Sequence, residues 1–269
     1  MDSELIRRAR ALAEQVFKNR TFEKHLFHNR EHTQDVVEAV KAIGIHSNLS
    51  PDELESALVA AWLHDVGYEN GSKNHEKASA EKAKQLLEDI GAQPQKISDI
   101  TDAILATQMP QSPMNLVSQV LCDADLMHLA TSECEKKSNM LREELNVLGT
   151  KDTSKEDWLR STISFMESHS YHTPYGKTVL EEGKQRNIKK FKKLLRPEIS
   201  YKKYKKLEEE LGKLKEKLER ERVLKPDRGI ETMFRTTSHN HIMLSQMVDS
   251  KASILITINS IILSLIVSV

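Results

Sequence analysis

Four polar residues stand inside apolar helical stretches, where an unpartnered charge is costly to bury. They are His32 in Asn29-Arg30-Glu31-His32, the adjacent pair His64-Asp65 in Ala60-Ala61-Trp62-Leu63-His64-Asp65-Val66-Gly67, and Asp125 in Leu121-Cys122-Asp123-Ala124-Asp125-Leu126. A divalent cation satisfies two imidazoles and two carboxylates at once. Nitrogen and oxygen donors without thiolate suit Mn, Fe, Co, Ni, Zn or, less well, Mg. Each residue taken alone reads equally well as a cap or a salt-bridge partner. The chain has eleven histidines, and most need no special role. His46, His169 and His172 read as surface or core residues. His239 and His241, two apart, would face different directions on one helix.

The elements that must position these groups read as helices. Leu5, Ile6, Ala9, Leu12, Ala13, Val16 and Phe17 share one helical stripe, and Val36, Val37, Val40 and Ile43 repeat the pattern. Ser50-Pro51-Asp52-Glu53 is a start signal: Ser at the N-cap, Pro at the first helical position, Glu at the third. The helix it opens runs toward His64-Asp65, and Gly67 stops it. Further helical patterns cover Asn74–Ile90, Pro94–Thr107, Leu116–Ala130, Glu133–Leu148 and Ser154–His169. No alternating strand pattern and no internal repeat stands out, so the expectation is an all-α fold.

Composition narrows the class. The 269 residues carry 40 Lys+Arg against 40 Asp+Glu, a formal net charge of zero, which excludes a globally basic nucleic-acid binder. At 30% charged and 38% hydrophobic residues the chain is too charged for a polytopic membrane protein and too apolar for a disordered one. Nine Gly and seven Pro disfavour a loop-rich all-β fold. Two cysteines, Cys122 and Cys134, make no disulfide framework and point to a reducing compartment. The first residues hold early acids and no apolar segment, so no secretory signal is expected.

The C-terminal third departs from this average. Lys184 to Lys206 holds eleven Lys/Arg against the single acid Glu198. That run reads first as a solvated helix face, second as a surface for anionic lipid, and only third as a nucleic-acid contact. Tyr204, Leu207, Leu211, Leu214 and Leu218 alternate spacings of three and four, an a/d seam of about two heptads that suits a connector or weak dimerisation element. Pro226-Asp227-Arg228-Gly229 breaks the pattern. The last 18 residues, Ala252 to Val269, contain no charge. As a helix they would span roughly 27 Å, close to a bilayer's hydrocarbon thickness, so a membrane helix is expected, with a buried core helix or oligomer seam as the alternative. The stop on an apolar residue fits a fragment of a longer protein.

The order His, then His-Asp, then Asp, within FHNREHTQDVV, AAWLHDVGYE, NHEKASAEKA and LCDADLMHLA, resembles the HD-domain metal-dependent phosphohydrolase superfamily over roughly residues 20–170. The resemblance implies an HD-type helical bundle with His32, His64, Asp65 and Asp125 as metal ligands. Asp125 is preferred to Asp123 because the family ligand falls in an Ala-Asp-x-x context. His75 and Glu76 occupy a position where relatives carry catalytic or second-metal residues, and either is a candidate proton donor or acceptor. Arg30 and Lys73 are the nearest cations in sequence for phosphoryl charge. Near Ile104-Leu105-Ala106-Thr107-Gln108 the dinuclear relatives would carry another histidine that this chain lacks, so one ion is expected and a second stays open.

A second resemblance lies in Gly229-Ile230-Glu231-Thr232-Met233-Phe234-Arg235-Thr236-Thr237 and Leu244 to Ala252, which look like the membrane module of Pycsar-type antiphage effectors. It implies a membrane-embedded effector answering to a cyclic nucleotide. The organisation expected is therefore an HD-type domain over 1–195, a basic and coiled-coil connector over 196–225 and a membrane module over 226–269. The function expected is hydrolysis of a nucleotide or related phosphoester by a protein tethered to the inner membrane, its N-terminal domain in the cytoplasm, with a role in antiphage signalling. The alternative is a nucleotide-sensing membrane effector whose HD-like domain binds its ligand without turnover. Expected partners are the phosphoester substrate, the membrane, and a second copy through the coiled coil; nucleic acid is the least favoured.

Overall fold

Ser50, Pro51 and Glu53 open the central helix as their types dictate. In the computed structural model, which describes residues 3–19, 23–70, 74–149, 153–223 and 237–238, the Ser50 side chain accepts from the Glu53 backbone N–H and the Glu53 carboxylate accepts from Ser50 N–H at 2.8 Å. Such a box is worth about 0.5–2 kcal/mol. Helix α3 (Pro51–Leu63) then runs fully buried from Ser56 to Leu63. A helix apolar all round belongs in a core, and α3 touches α1 (Glu4–Val16), α2 (Arg30–His46), α4 (His75–Asp89), α5 (Pro94–Ala106) and α6 (Leu116–Asp125).

The described residues contain helices and no strand, as the periodicity predicts. A 3-10 turn over Val66–Asn70 follows α3, and another over Met127–Ala130 follows α6. The pattern read as one helix over 116–130 therefore ends α-helically at Asp125. Helices α7 (Cys134–Val147) and α8 (Lys155–Ser168) follow, then a π turn at Gly176–Leu180 and α9 (Glu181–Val223).

Two buried polar groups tie the later helices to the site-bearing ones. Lys137 of α7, 5% exposed, reaches Asp35 of α2 at 2.9 Å. Asp123 of α6 accepts from His172 N–H at 2.7 Å, from Thr173 N–H at 2.9 Å and from the Thr173 hydroxyl at 2.6 Å. Gly176 closes this joint, because a Cβ there would lie 2.3 Å from Asp123 Oδ2. Tyr171 adds a hydrogen bond from its hydroxyl to Leu126 O at 3.1 Å.

The chain divides into two compact units, 1–201 and 202–269, with the division inside α9. Of the second unit the described residues are the last turns of α9 and positions 237–238. There Tyr204, Leu207, Leu214 and Leu218 are exposed along one helix. No helix among the described residues is long and apolar enough to cross a membrane. The run 252–269 and most of the stretch 229–252 lie outside the described residues.

Replacing Asp123 by Ala leaves the His172 and Thr173 N–H groups without their buried acceptor. Each such group costs about 1–3 kcal/mol, so urea unfolding of Asp123→Ala should show a loss of about 2–4 kcal/mol, with bound-metal content unchanged.

Candidate metal centre

Local chain geometry aims each of the four groups at one point. Asn29 caps α2, and its Oδ1 accepts from His32 N–H at 3.1 Å, which holds His32 in the first turn. His64 is the C-cap of α3, and its Nδ1 lies 2.8 Å from Ala61 O, one of the carbonyls left open where a helix ends. A carbonyl can only accept, so Nδ1 carries the proton and Nε2 of the neutral ring is a bare acceptor. Asp65 follows directly, before the 3-10 turn. Asp123 and Asp125 are two residues apart on α6 and so point to different faces. Asp123 holds the 172–173 backbone, while Asp125 Oδ1 lies 3.1 Å from His32 Nε2. That placement favours Asp125 of the two aspartates the sequence offered.

The four groups converge. His64 Nε2 lies 3.2 Å from Asp65 Oδ2 and 3.8 Å from Asp125 Oδ1, and His32 Nε2 lies 3.6 Å from Asp65 Oδ2. His32, His64 and Asp125 each offer a donor atom, all within 4.8 Å of one another. His64 Nε2 and Asp65 Oδ2 are both buried with no hydrogen-bond partner. Two acceptors pressed together at 3.2 Å in a dry site repel unless a positive charge lies between them. Burial works to lower the His64 pKa, yet the charges of Asp65 and Asp125 push it up to about 9. Burial likewise works to raise Asp65, and facing His64 holds it well below the usual carboxylate range. The pocket is thus short of positive charge, and one divalent cation fits the donor set.

A second group of rings abuts this cluster, most of it without a signal in the sequence. His28 sits between Glu144 and Tyr68: its Nδ1 is 2.5 Å from Glu144 Oε1 and its Nε2 is 3.0 Å from the Tyr68 hydroxyl. Glu144, 1% exposed on α7, also accepts from the backbone N–H groups of Phe27 and His28 at 2.7 and 3.0 Å. His25 packs edge-on against Tyr68. The ring of His128 lies against Phe27, and burial followed by the charge of His32 lowers its pKa to about 4. His28 could have been noticed, four residues before His32 in the same segment. Glu144 could not, since it reads as one acid among many on an amphipathic helix.

The remaining candidates divide. His75 opens α4 and stacks on Tyr68 at 3.8 Å between centroids, with Nε2 3.7 Å from Asp65 Oδ1 and 3.6 Å from Glu76 Oε1. Gly67 permits this approach, since a Cβ there would lie 2.1 Å from His75 O. Glu76 is buried beside it. Arg30 turns to the surface instead, where its guanidinium pairs with Glu14 at 3.2 Å. Lys73 lies outside the described residues.

The HD domain family model matches residues 29–130, a span that holds His32, His64, Asp65, His75, Glu76 and Asp125. The chain therefore carries an HD domain there. The match does not reach the C-terminal stretch. A solved structure of a predicted HD superfamily hydrolase from an uncultured Thermotogales bacterium is similar at 22% identity with a TM-score of 0.43, covering 60% of this chain and 88% of that one. No curated protein matches the chain.

Two outcomes follow for the purified protein. Wild type should retain close to one equivalent of Mn or Co after desalting, and His64→Ala and Asp65→Ala should retain almost none, read by elemental analysis. The His28–Glu144 pair should make stability depend on pH. Despite burial, which opposes it, the hydrogen bond that His28 donates to Glu144 raises His28 above its ordinary 6.5, so that contribution is complete below 6.5 and fades as pH rises through the folded value. Despite burial, the hydrogen bond from His28 lowers Glu144 below its ordinary 4.5, so that contribution is complete above 4.5 and fades as pH falls through the folded value. In chelator, the stability gap between wild type and Glu144→Gln should be widest between pH 4.5 and 6.5 and should narrow on both sides. A gap independent of pH would contradict the pairing.

Proposed function

We propose that the chain is a metal-dependent phosphohydrolase acting on a nucleotide or a related phosphoester, tethered to the cytoplasmic membrane by its uncharged C-terminal run with the HD domain in the cytoplasm. The observation that carries the chemistry is the facing pair of buried acceptors, His64 Nε2 and Asp65 Oδ2, closed by His32 and Asp125. These four residues would hold the ion. When bound, a divalent ion supplies a water of lowered pKa and neutralises charge on a phosphoryl group.

The protein's own groups do the rest. The Ala61 carbonyl fixes the tautomer and ring plane of His64, as outer partners of metal ligands do. Asn29 holds His32 in place through its backbone. His28 is the best-placed proton carrier. Glu144 accepts its Nδ1–H and stabilises the protonated ring, and the raised pKa keeps a proton available on Nε2. Tyr68 orients that nitrogen. The side chain is 17% exposed, enough for a leaving oxygen to receive the proton. His75, stacked on Tyr68 and facing both Asp65 and Glu76, is the second candidate for moving a proton.

The uncharged run at 252–269 and the Pycsar-like pattern before it support the tether and a role in antiphage nucleotide signalling. They also support a second reading, in which the HD domain binds a nucleotide and signals through the C-terminal module without turnover.

One assay separates these. Full chain in mild detergent, loaded with Mn or Co, is screened against cyclic and linear nucleotides and bis(p-nitrophenyl) phosphate. The proposal expects turnover that His64→Ala and Asp65→Ala abolish. His28→Asn should keep the metal and lower kcat by about 10²–10⁴-fold. Nucleotide binding without turnover by the metal-loaded wild type would favour the sensor, and equal turnover in the ligand variants would contradict a metal mechanism.

A further inference from the structure

The proposed chemistry does not use the exposed apolar stripe on α9. Tyr204, Leu207, Leu214 and Leu218 are 60, 48, 65 and 42% exposed, and Leu211 completes the row. Five large apolar side chains on one face of a helix, with no partner helix for that face among the described residues, lose the burial that usually stabilises a helix of this composition. Their spacing of three and four keeps them on one seam through two heptads, with Tyr204, Leu211 and Leu218 at a and Leu207 and Leu214 at d. The flanking positions are charged and of both signs: Lys203, Glu210 and Lys217 at g, Glu208 and Lys215 at e. Gly212 falls at b, away from the seam, where a small residue costs the interface nothing.

We infer that this seam is an interface for a second copy of the same chain, paired parallel and in register. In that arrangement all five apolar layers meet their own counterparts. Each g position faces the e position of the next heptad on the partner copy, so Lys203 meets Glu208 and Glu210 meets Lys215, both attractive, while Lys217 and Arg222 at the end of the seam form one like-charged pair. An antiparallel pairing also matches charges, but it centres the seam between Leu211 and Leu214. That keeps four apolar layers and sets Tyr204 opposite position 221, which is a glutamate. The parallel pair is the arrangement that covers the whole stripe. With little more than two heptads the association is weak, dependent on protein concentration.

Single cysteines read both the pairing and its direction. Leu207→Cys, Leu218→Cys and the outward Glu209→Cys, at f, are placed one at a time in the full chain. The samples in mild detergent are oxidised gently, quenched with N-ethylmaleimide and run on a non-reducing gel. Native Cys122 and Cys134 are buried and do not compete. Parallel pairing expects both seam variants to form disulfide dimers about tenfold faster than Glu209→Cys, whose sulfurs lie beyond disulfide reach. In the antiparallel pair, residue 207 faces 218, so like sulfurs would be separated by about 16 Å along the axis. Cross-linking only in a mixture of the two seam variants would therefore overturn the parallel assignment. Seam variants no faster than Glu209→Cys would overturn the interface itself. As a check independent of cysteine placement, Glu210→Lys in the Leu207→Cys background should slow cross-linking several-fold, and adding Lys215→Glu should restore it. Failure of the double change to restore the rate would contradict the paired g and e charges.

Discussion

A bare imidazole nitrogen and a carboxylate oxygen, 3.2 Å apart and shut away from water, cannot stay together without a positive charge between them. That constraint organises the centre of this protein. It explains why His64 and Asp65 are adjacent in sequence, why the ring of His64 is locked by Ala61, and why His32 and Asp125 arrive from two other helices to complete the cradle. In the neutral ring Nδ1 carries the proton and Nε2 is the bare acceptor, so the positive charge that joins it to Asp65 is either a second ring proton or a cation.

The fold can be understood as the apparatus that holds these atoms in place. Helix α3 is buried along its second half because it delivers His64 to the middle of the bundle, and its capping box fixes where it begins. Helix α6 ends where its carboxylate is needed, with Asp123 and Asp125 dividing the work: one anchors the 171–176 segment, the other faces the histidines. Glu144 performs the comparable task for the segment before α2, gathering two backbone N–H groups and one imidazole. Both buried carboxylates have their oxygens fully engaged, which is the condition under which such groups stabilise rather than weaken a core.

Much of this was legible in the residues. The helices and the Ser50 cap follow from periodicity and capping chemistry, and His32, His64, Asp65 and Asp125 stood out as polar groups in apolar runs. The preference for Asp125 over Asp123 rests on a local pattern; that the backbone of 172–173 engages Asp123 is a contact no local pattern shows. What could not be read was long-range. Glu144 is 116 residues from His28, and nothing in its own helix distinguishes it. The surface pairing of Arg30 with Glu14 was equally hidden, because proximity in sequence to His32 says nothing of the direction a flexible guanidinium takes.

The central claim is that four side chains share one cation, and the most direct measurement is anomalous X-ray scattering from a crystal of the protein loaded with Mn or Co. The account predicts a single strong peak within bonding distance of His32 Nε2, His64 Nε2, Asp65 Oδ2 and Asp125 Oδ1. A fully loaded crystal with its peak elsewhere, and with His64 Nε2 donating a hydrogen bond to Asp65, would contradict it.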